Sequence, residues 1–239
     1  MAAGLSRTRD RLKGLEIDLA HMAALVESQL AEAIAAFERR DVALAERLVR
    51  ADERVDALHH AIDAKVMSLL AEGPYDLRTL REIMTNMKVS GDLERVGDLG
   101  KNVAKRTLVV SRERPPRPYA AVARMGRASL RQISDILNAF AARDLDAAKA
   151  VWGGDDDLDA LYNSVFREIL AAMMENPSDI NAGAHLVFIA KNFERVGDHA
   201  TNIAEALHFL LTGSALGRER PKGDETALTT VKDPQGPAS

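Results

Sequence analysis

Two short acidic motifs carry most of the chemistry this chain can offer. Asp52 and Asp56 stand four residues apart, and so do Glu94 and Asp98. The pattern returns at Asp155 and Asp159 and at Glu194 and Asp198. On an α-helix, residues i and i+4 lie one above the other on the same face. Each half therefore carries an acidic pair on each of two helices. Packed antiparallel, those helices can bring four carboxylates to one outer groove. Four oxygen donors at that density suit a hard divalent cation or a carboxylate-bridged metal cluster. Without a cation, like charges at this spacing cost a few tenths of a kcal/mol per pair.

A solvated charged helix face would explain a single acidic pair equally well. Three features argue for more. The pairs recur in the same frame in both halves. Gly97 and Gly197 sit inside the helices that carry them, where Gly costs about 1 kcal/mol relative to Ala and marks the close approach of another helix or a bound group. The run Glu194, Asp198, Asn202, Glu205 has no Lys or Arg at i+4 to balance it. Arg95 and Arg195 oppose this reading, since each reaches an acidic neighbour.

The elements that position these residues follow from the prolines and the composition. Pro74, Pro115, Pro116, Pro118, Pro177 and Pro221 separate long stretches rich in Ala, Leu, Glu, Arg and Met, and a proline inside a helix costs about 3 kcal/mol. Six main helices are expected, over 5–39, 42–71, 77–111, 118–142, 155–175 and 180–212. A short helical turn is expected at 144–152. Asp76 and Asp179 read as N-caps. The apolar seams run Leu48, Ala51, Val55, Leu58, Ile62, Val66 and Leu69, then Val89, Leu93, Val96, Gly100 and Val103, and in the second copy Ile189, Phe193, Val196, Ala200 and Ile203. Glu94, Asp98, Asn102, Glu194, Asp198 and Asn202 are expected to face outward, away from these seams.

The halves repeat. Phe37, Arg40 and Asp41 return as Phe140, Arg143 and Asp144, and Pro74-x-Asp76 as Pro177-x-Asp179, all at an offset of 103. Glu94-Arg95-Val96-Gly97-Asp98 returns verbatim at 194–198, an offset of 100. A period near 100 is too long for a solenoid unit, and short loops favour antiparallel neighbours. The expected fold is all-α: two tandem, repeat-related three-helix bundles, over 1–112 and 113–212, followed by a disordered tail over 213–239.

Composition removes several classes. The 239 residues carry 32 Lys and Arg against 36 Asp and Glu, a net charge of -4, with 46% apolar and 4% aromatic residues and no Cys. No disulfide, thiolate zinc site, iron–sulfur cluster or Cys nucleophile is available. The slightly acidic balance and scarce aromatics argue against nucleic-acid binding. No apolar run approaches a membrane span, and the charged N-terminus does not read as a signal peptide, so a cytoplasmic location is expected. There is no Ser/His/Asp constellation and no phosphate loop. Glu205-x-x-His208 has the spacing of a ferritin-like di-metal oxidase, but its repeat counterpart lacks the His. The chain is not expected to be an enzyme. A helical scaffold without metal remains the plainer alternative.

With its two Glu-Arg-Val-Gly-Asp motifs, each followed by Asn102 or Asn202, its Arg-Asp junctions and its Asp-x-x-x-Asp pairs, the sequence resembles the PhoU family over residues ~5–212. The resemblance implies cytoplasmic accessory regulators of the phosphate-specific ABC transport system, often homodimeric. It implies metal ions, divalent or ferric, on the outer surface of each bundle. Carried over, the ligands are Asp52, Asp56, Glu94 and Asp98, and Asp155, Asp159, Glu194 and Asp198. It further implies negative regulation of the phosphate regulon when phosphate is plentiful, through the transporter's ATPase subunit and a phosphate-sensing histidine kinase. The membrane would be reached only peripherally, through these partners.

Overall fold

The structure is a computed structural model that describes residues 2–51, 53–112, 114, 116–216 and 226. Eight α-helices follow one another among the described residues: α1 Ala2–Arg39, α2 Val42–Ala51, α3 Glu53–Leu70, α4 Leu77–Val110, α5 Tyr119–Ala142, α6 Leu145–Gly153, α7 Asp155–Glu175 and α8 Ile180–Thr212. The second helix of each expected bundle is in two pieces, α2 with α3 and α6 with α7. The fold is all-α, with two repeat-related three-helix bundles in tandem. The described part of the expected tail stops at residue 216, apart from residue 226, and the rest lies outside the described residues.

Both Arg-Asp junctions reverse the chain in the same way. Arg40 and Arg143 take the left-handed conformation, at φ 55° and 53°. The N–H of Arg40 donates to the Phe37 carbonyl and that of Asp41 to the Ala36 carbonyl. Arg143 and Asp144 repeat this on Phe140 and Ala139. These are Schellman closures, which satisfy the last carbonyls of the finished helix. The aspartate then starts the next one: Asp41 Oδ1 accepts from Leu44 N at 2.9 Å, and Asp144 Oδ1 accepts from Asp146 N and Ala147 N at 3.0 Å each. That cap is why 145–153 forms a full helix where a short turn was expected. Asp76 caps α4 through Thr79 N at 2.7 Å. Asp179 occupies the N-cap of α8 without a side-chain bond. Asn176 does the capping instead, through Ser178 N, at the 3-10 turn Pro177–Asp179.

Most of the predicted seam residues are buried, among them Val55, Ile62 and Val66, Val89, Leu93, Val96 and Val103, and Ile189, Phe193, Val196, Ala200 and Ile203, while Leu58 is half-buried. They join one continuous core shared by both repeats. Each large side chain buried there contributes ~1.5–3 kcal/mol. The repeats meet along α4 and α8 and, across the other side, along α1 and α5. The α4–α8 pair is antiparallel. Asp92 on α4 reaches His199 and Asn202 on α8, while Arg106, fourteen residues further on, reaches back to His185 and lies 4.1 Å over the Phe188 ring.

Candidate metal centre

In the second half the acidic residues gather where α7 crosses α8. Gly197 is the crossing point: a Cβ there would stand 2.5 Å from Leu158 Cδ2, 2.9 Å from Gln132 Oε1 and 3.6 Å from Asp155 Oδ1. The glycine thus admits a helix, as its place inside α8 suggested. Around it Asp155 is 3% exposed, Asp159 5% and Glu194 5%, with Asp198 half-buried. The outward orientation expected of Glu194 is corrected: it is buried together with Asp155 and Asp159. The flank of each apolar seam becomes the contact surface once Gly197 lets α7 settle onto α8.

Burying carboxylates together has an electrostatic consequence. Desolvation pushes the Glu194 carboxyl up to about 7, and nearby Asp198 and Asp159 push the same way, while Lys191 opposes them. Lys191 Nζ donates to Glu194 Oε1 at 2.9 Å. Glu194 Oε2 is buried with no hydrogen-bond partner. The orphaned carboxylate oxygen is the kind of acceptor a hard cation takes. Lys191 supplies one positive charge in that place already. Its spacing of three residues from Glu194 is the signal on the helix that reveals the pair.

In the first half, Gly97 meets α3 in the same way, with its Cβ position 3.3 Å from Val55 Cγ1. Asp56, Glu94 and Asp98 are half-buried. Glu94 Oε2 lies 3.3 Å from Arg95 Nε. Asp52 lies outside the described residues. The counterpart of Lys191 is Gly91, whose Cβ position has open space around it. The Lys191 ammonium therefore has no equivalent at position 91. Among the described residues, no three His, Asp or Glu side chains stand close enough together to enclose an ion.

Other residues take places the sequence did not indicate. Asn202, expected outward, turns to α4 and donates to Asp92 Oδ1 at 3.1 Å, and His199 Nδ1 lies 2.9 Å from the same oxygen. Asp92 is 9% exposed, so this trio is a polar clasp inside the joint between the repeats. Glu205 accepts from Trp152 Nε1 at 3.3 Å, and His208 Nδ1 lies 3.0 Å from the Ser214 carbonyl. The one Glu-x-x-His of the chain is thus engaged in local structure.

A chain of two tandem three-helix repeats with a recurring acidic motif at each helix crossing is one class of helical protein. The PhoU domain matches it twice, over residues 19–107 and 122–207, and the chain belongs to the PhoU family. It is 43% identical over 216 residues to a "phosphate-specific transport system accessory protein PhoU homolog" of Caulobacter vibrioides, covering 90% of this chain and 94% of that one. With the protein of the same description from Rhizobium meliloti the identity is 38% over 231 residues, covering 96% and 98%. The crystal structure of PhoU from Pseudomonas aeruginosa superposes with a TM-score of 0.84 at 31% identity, covering 86% of this chain and 99% of that one. The phosphate transport system regulatory protein PhoU from Streptococcus pneumoniae superposes with a TM-score of 0.80 at 26% identity, covering 88% and 100%. Among the described residues no helix is long and apolar enough to cross a membrane.

Proposed function

We propose that this protein is an accessory regulator of phosphate uptake, acting by binding rather than by catalysis. In this reading it works in the cytoplasm as a homodimer. It represses the phosphate regulon when phosphate is plentiful, through the ATPase subunit of a phosphate ABC transporter and a phosphate-sensing histidine kinase. The observation that carries the proposal is the 43% identity, over nine-tenths of both chains, to a relative described as a phosphate transport accessory protein. Deletion of the gene, read by a phosphate-starvation reporter in high phosphate, tests it. Expression should rise in the deletion strain and fall again on complementation. Repression that is unchanged without the gene overturns the regulatory role. Sedimentation at twice the chain mass is the accompanying check on the dimer.

The metal is part of the same proposal. Asp52, Asp56, Glu94 and Asp98 would hold it in the first half, and Asp155, Asp159, Glu194 and Asp198 in the second. A bound divalent or ferric ion would neutralise the gathered carboxylates and tie adjacent helices together. The orphaned Glu194 oxygen supports this, and Lys191 opposes it in the second half. Purified protein should therefore retain metal, and Glu94→Ala and Asp98→Ala should each lower the content by elemental analysis. Lys191→Ala should raise it. Content that stays the same in both acidic variants places the first site elsewhere.

A further inference from the structure

The chain leaves the third helix of each repeat, α4 and α8, beside equivalent places that are filled differently. Between α1, α4, α5 and the end of α8 lies a cavity of about 410 Å³, with Leu19, Leu93, Leu137, Phe140 and Leu210 in its wall. The place related to it by the repeat offset is filled. Phe193 is fully buried where the cavity has Leu93, and Tyr119 is buried where the cavity has Glu16. The connector after α4 covers that filled place. Arg40 Nη2 donates to the Val110 and Ser111 carbonyls, at 3.2 and 2.9 Å, and so holds the first residues of the connector. Pro116 and Pro118 are buried. Tyr119 then stacks on Phe37 at 4.3 Å between centroids and donates its hydroxyl to the Phe37 carbonyl.

The sequence that follows α8 repeats this connector. Arg112-Glu113-Arg114-Pro115 returns verbatim as Arg218-Glu219-Arg220-Pro221. In the same frame Ala121, Val122 and Met125, all buried at the start of α5, return as Ala227, Leu228 and Val231. The end of α8 delivers that stretch to the cavity. Leu210 lines the cavity two residues before α8 ends. Gly213 then turns the chain at φ 77°, so close to Arg81 that a side chain on it would clash. Arg81 is the neighbour of Glu82, which stands at the cavity mouth. Thr226, within the repeated stretch, is half-buried and makes a polar contact. Residues 217–228 can extend to ~40 Å, whereas the wall of α4 between Glu82 and Leu93 is ~17 Å long. The stretch therefore reaches every part of the cavity.

We infer that residues 218–231 of this same chain dock on the cavity between α1, α4, α5 and α8, as the connector covers the equivalent place in the other half. Charge is complementary along the mouth. Glu16, Glu27 and Glu82 stand there with Arg143, which lies 2.7 Å from Glu16 and 3.7 Å from Glu82. Arg218, Arg220 and Lys222 bring three cations against the single Glu219. Asp224 and Glu225 follow, and Arg143 and Arg78, the latter 3.6 Å from Glu82, are there to meet them. Leu228 and Val231 stand three apart, so one helical turn presents both on one side. They enter the space that Tyr119 and Phe193 fill in the other half, against Leu93, Leu137 and Phe140. A cavity of about 150 Å³ already accepts benzene, so 410 Å³ holds both aliphatic side chains. The inference is independent of the phosphate role and of the metal.

Nitroxide labelling of the full chain, read by methyl NMR, tests it. The sequence has no Cys, so Thr229→Cys provides one attachment point between the two apolar residues. The Leu19, Leu93 and Leu137 methyl signals should broaden strongly and recover when the nitroxide is reduced. The Leu186 methyls, at the filled place in the other half, should keep their intensity. Leu228→Asp combined with Val231→Asp in the labelled chain should abolish the broadening. Without any label, the same two substitutions should shift the cavity methyl signals, which covers the case of a label that itself hinders docking. A mixture of nitroxide-labelled chain with isotope-labelled chain lacking the nitroxide identifies the source. Broadening confined to the single-chain sample supports the inference. Broadening in the mixture assigns the contact to the tail of a second copy and overturns it. Cavity methyls that neither broaden with the label nor shift with the aspartates overturn it as well, as does broadening that survives both aspartates.

Discussion

Among single residues, Glu194 has the most unusual environment. Its carboxyl is raised to about 7 by burial first and by Asp198 and Asp159 after that, against the pull of Lys191. In metal-free protein the sign of the pH dependence follows. A carboxyl raised on folding is stabilised in its protonated form, so its contribution is intact below its unfolded value of 4.5 and is lost as pH rises through about 7. Glu194→Gln keeps the shape and removes the titration. In chelator-treated samples its melting temperature should gain on wild type as pH rises through that window. A difference that stays flat with pH would show that Glu194 does not titrate there. The acidic residues and their common frame were legible in the sequence, because period and type are local properties. Their burial was not. It depends on how closely α7 approaches α8, which Gly197 hints at and only the crossing determines.

Helix boundaries were the most readable level. Prolines, N-cap aspartates and the two Arg-Asp junctions are short-range signals, and they placed the ends of α1, α4, α5 and α8 within a few residues. The exception is instructive. Residues 144–152 were expected to form a turn because the segment is short and ends in Gly153-Gly154. Asp144, which satisfies two backbone N–H groups at once, is enough to make it a helix of nine residues. Asp144→Ala should cost about 1 kcal/mol, the usual loss for an N-cap, read as a lower denaturant midpoint with an unchanged slope. No change in midpoint would mean that α6 is held by packing on α8 alone. Asp179 shows the limit of the same rule: the residue type was right, but the 3-10 turn hands the capping to Asn176.

At the scale of the whole molecule, the sequence announced a duplication but not how its copies join. The joint is a set of contacts between residues about 80 to 110 positions apart, such as Asp92 with His199 and Arg106 with His185. No local pattern encodes such pairings. A tight point lies where α1, α5 and α8 meet. A Cβ on Gly126 would stand 2.8 and 2.9 Å from the Phe193 ring and 3.3 Å from Ile34 Cγ1. Gly126→Ala gains about 1 kcal/mol of helix propensity but forces a fully buried ring to move, at about 1–3 kcal/mol. A net loss of stability is expected, recovered by adding Phe193→Leu, which recreates the Ala23–Leu93 pair of the other repeat. Thermal melts of the single and double variants check this. A single variant more stable than wild type would show that the ring has room to give.

The antiparallel joint of α4 and α8 has an evolutionary consequence. The two helices occupy the same position in their repeats, and they run in opposite directions along their shared contact. A contact between equivalent elements in opposite directions is what a twofold-symmetric pair of identical subunits makes. The chain can therefore be read as an ancestral dimer of single repeats whose gene was doubled and fused, with the connector near residue 115 as the seam. Fusion freed the two copies from having to stay identical. Lys191 opposite Gly91, and Leu93 opposite Phe193, record how far they have since diverged.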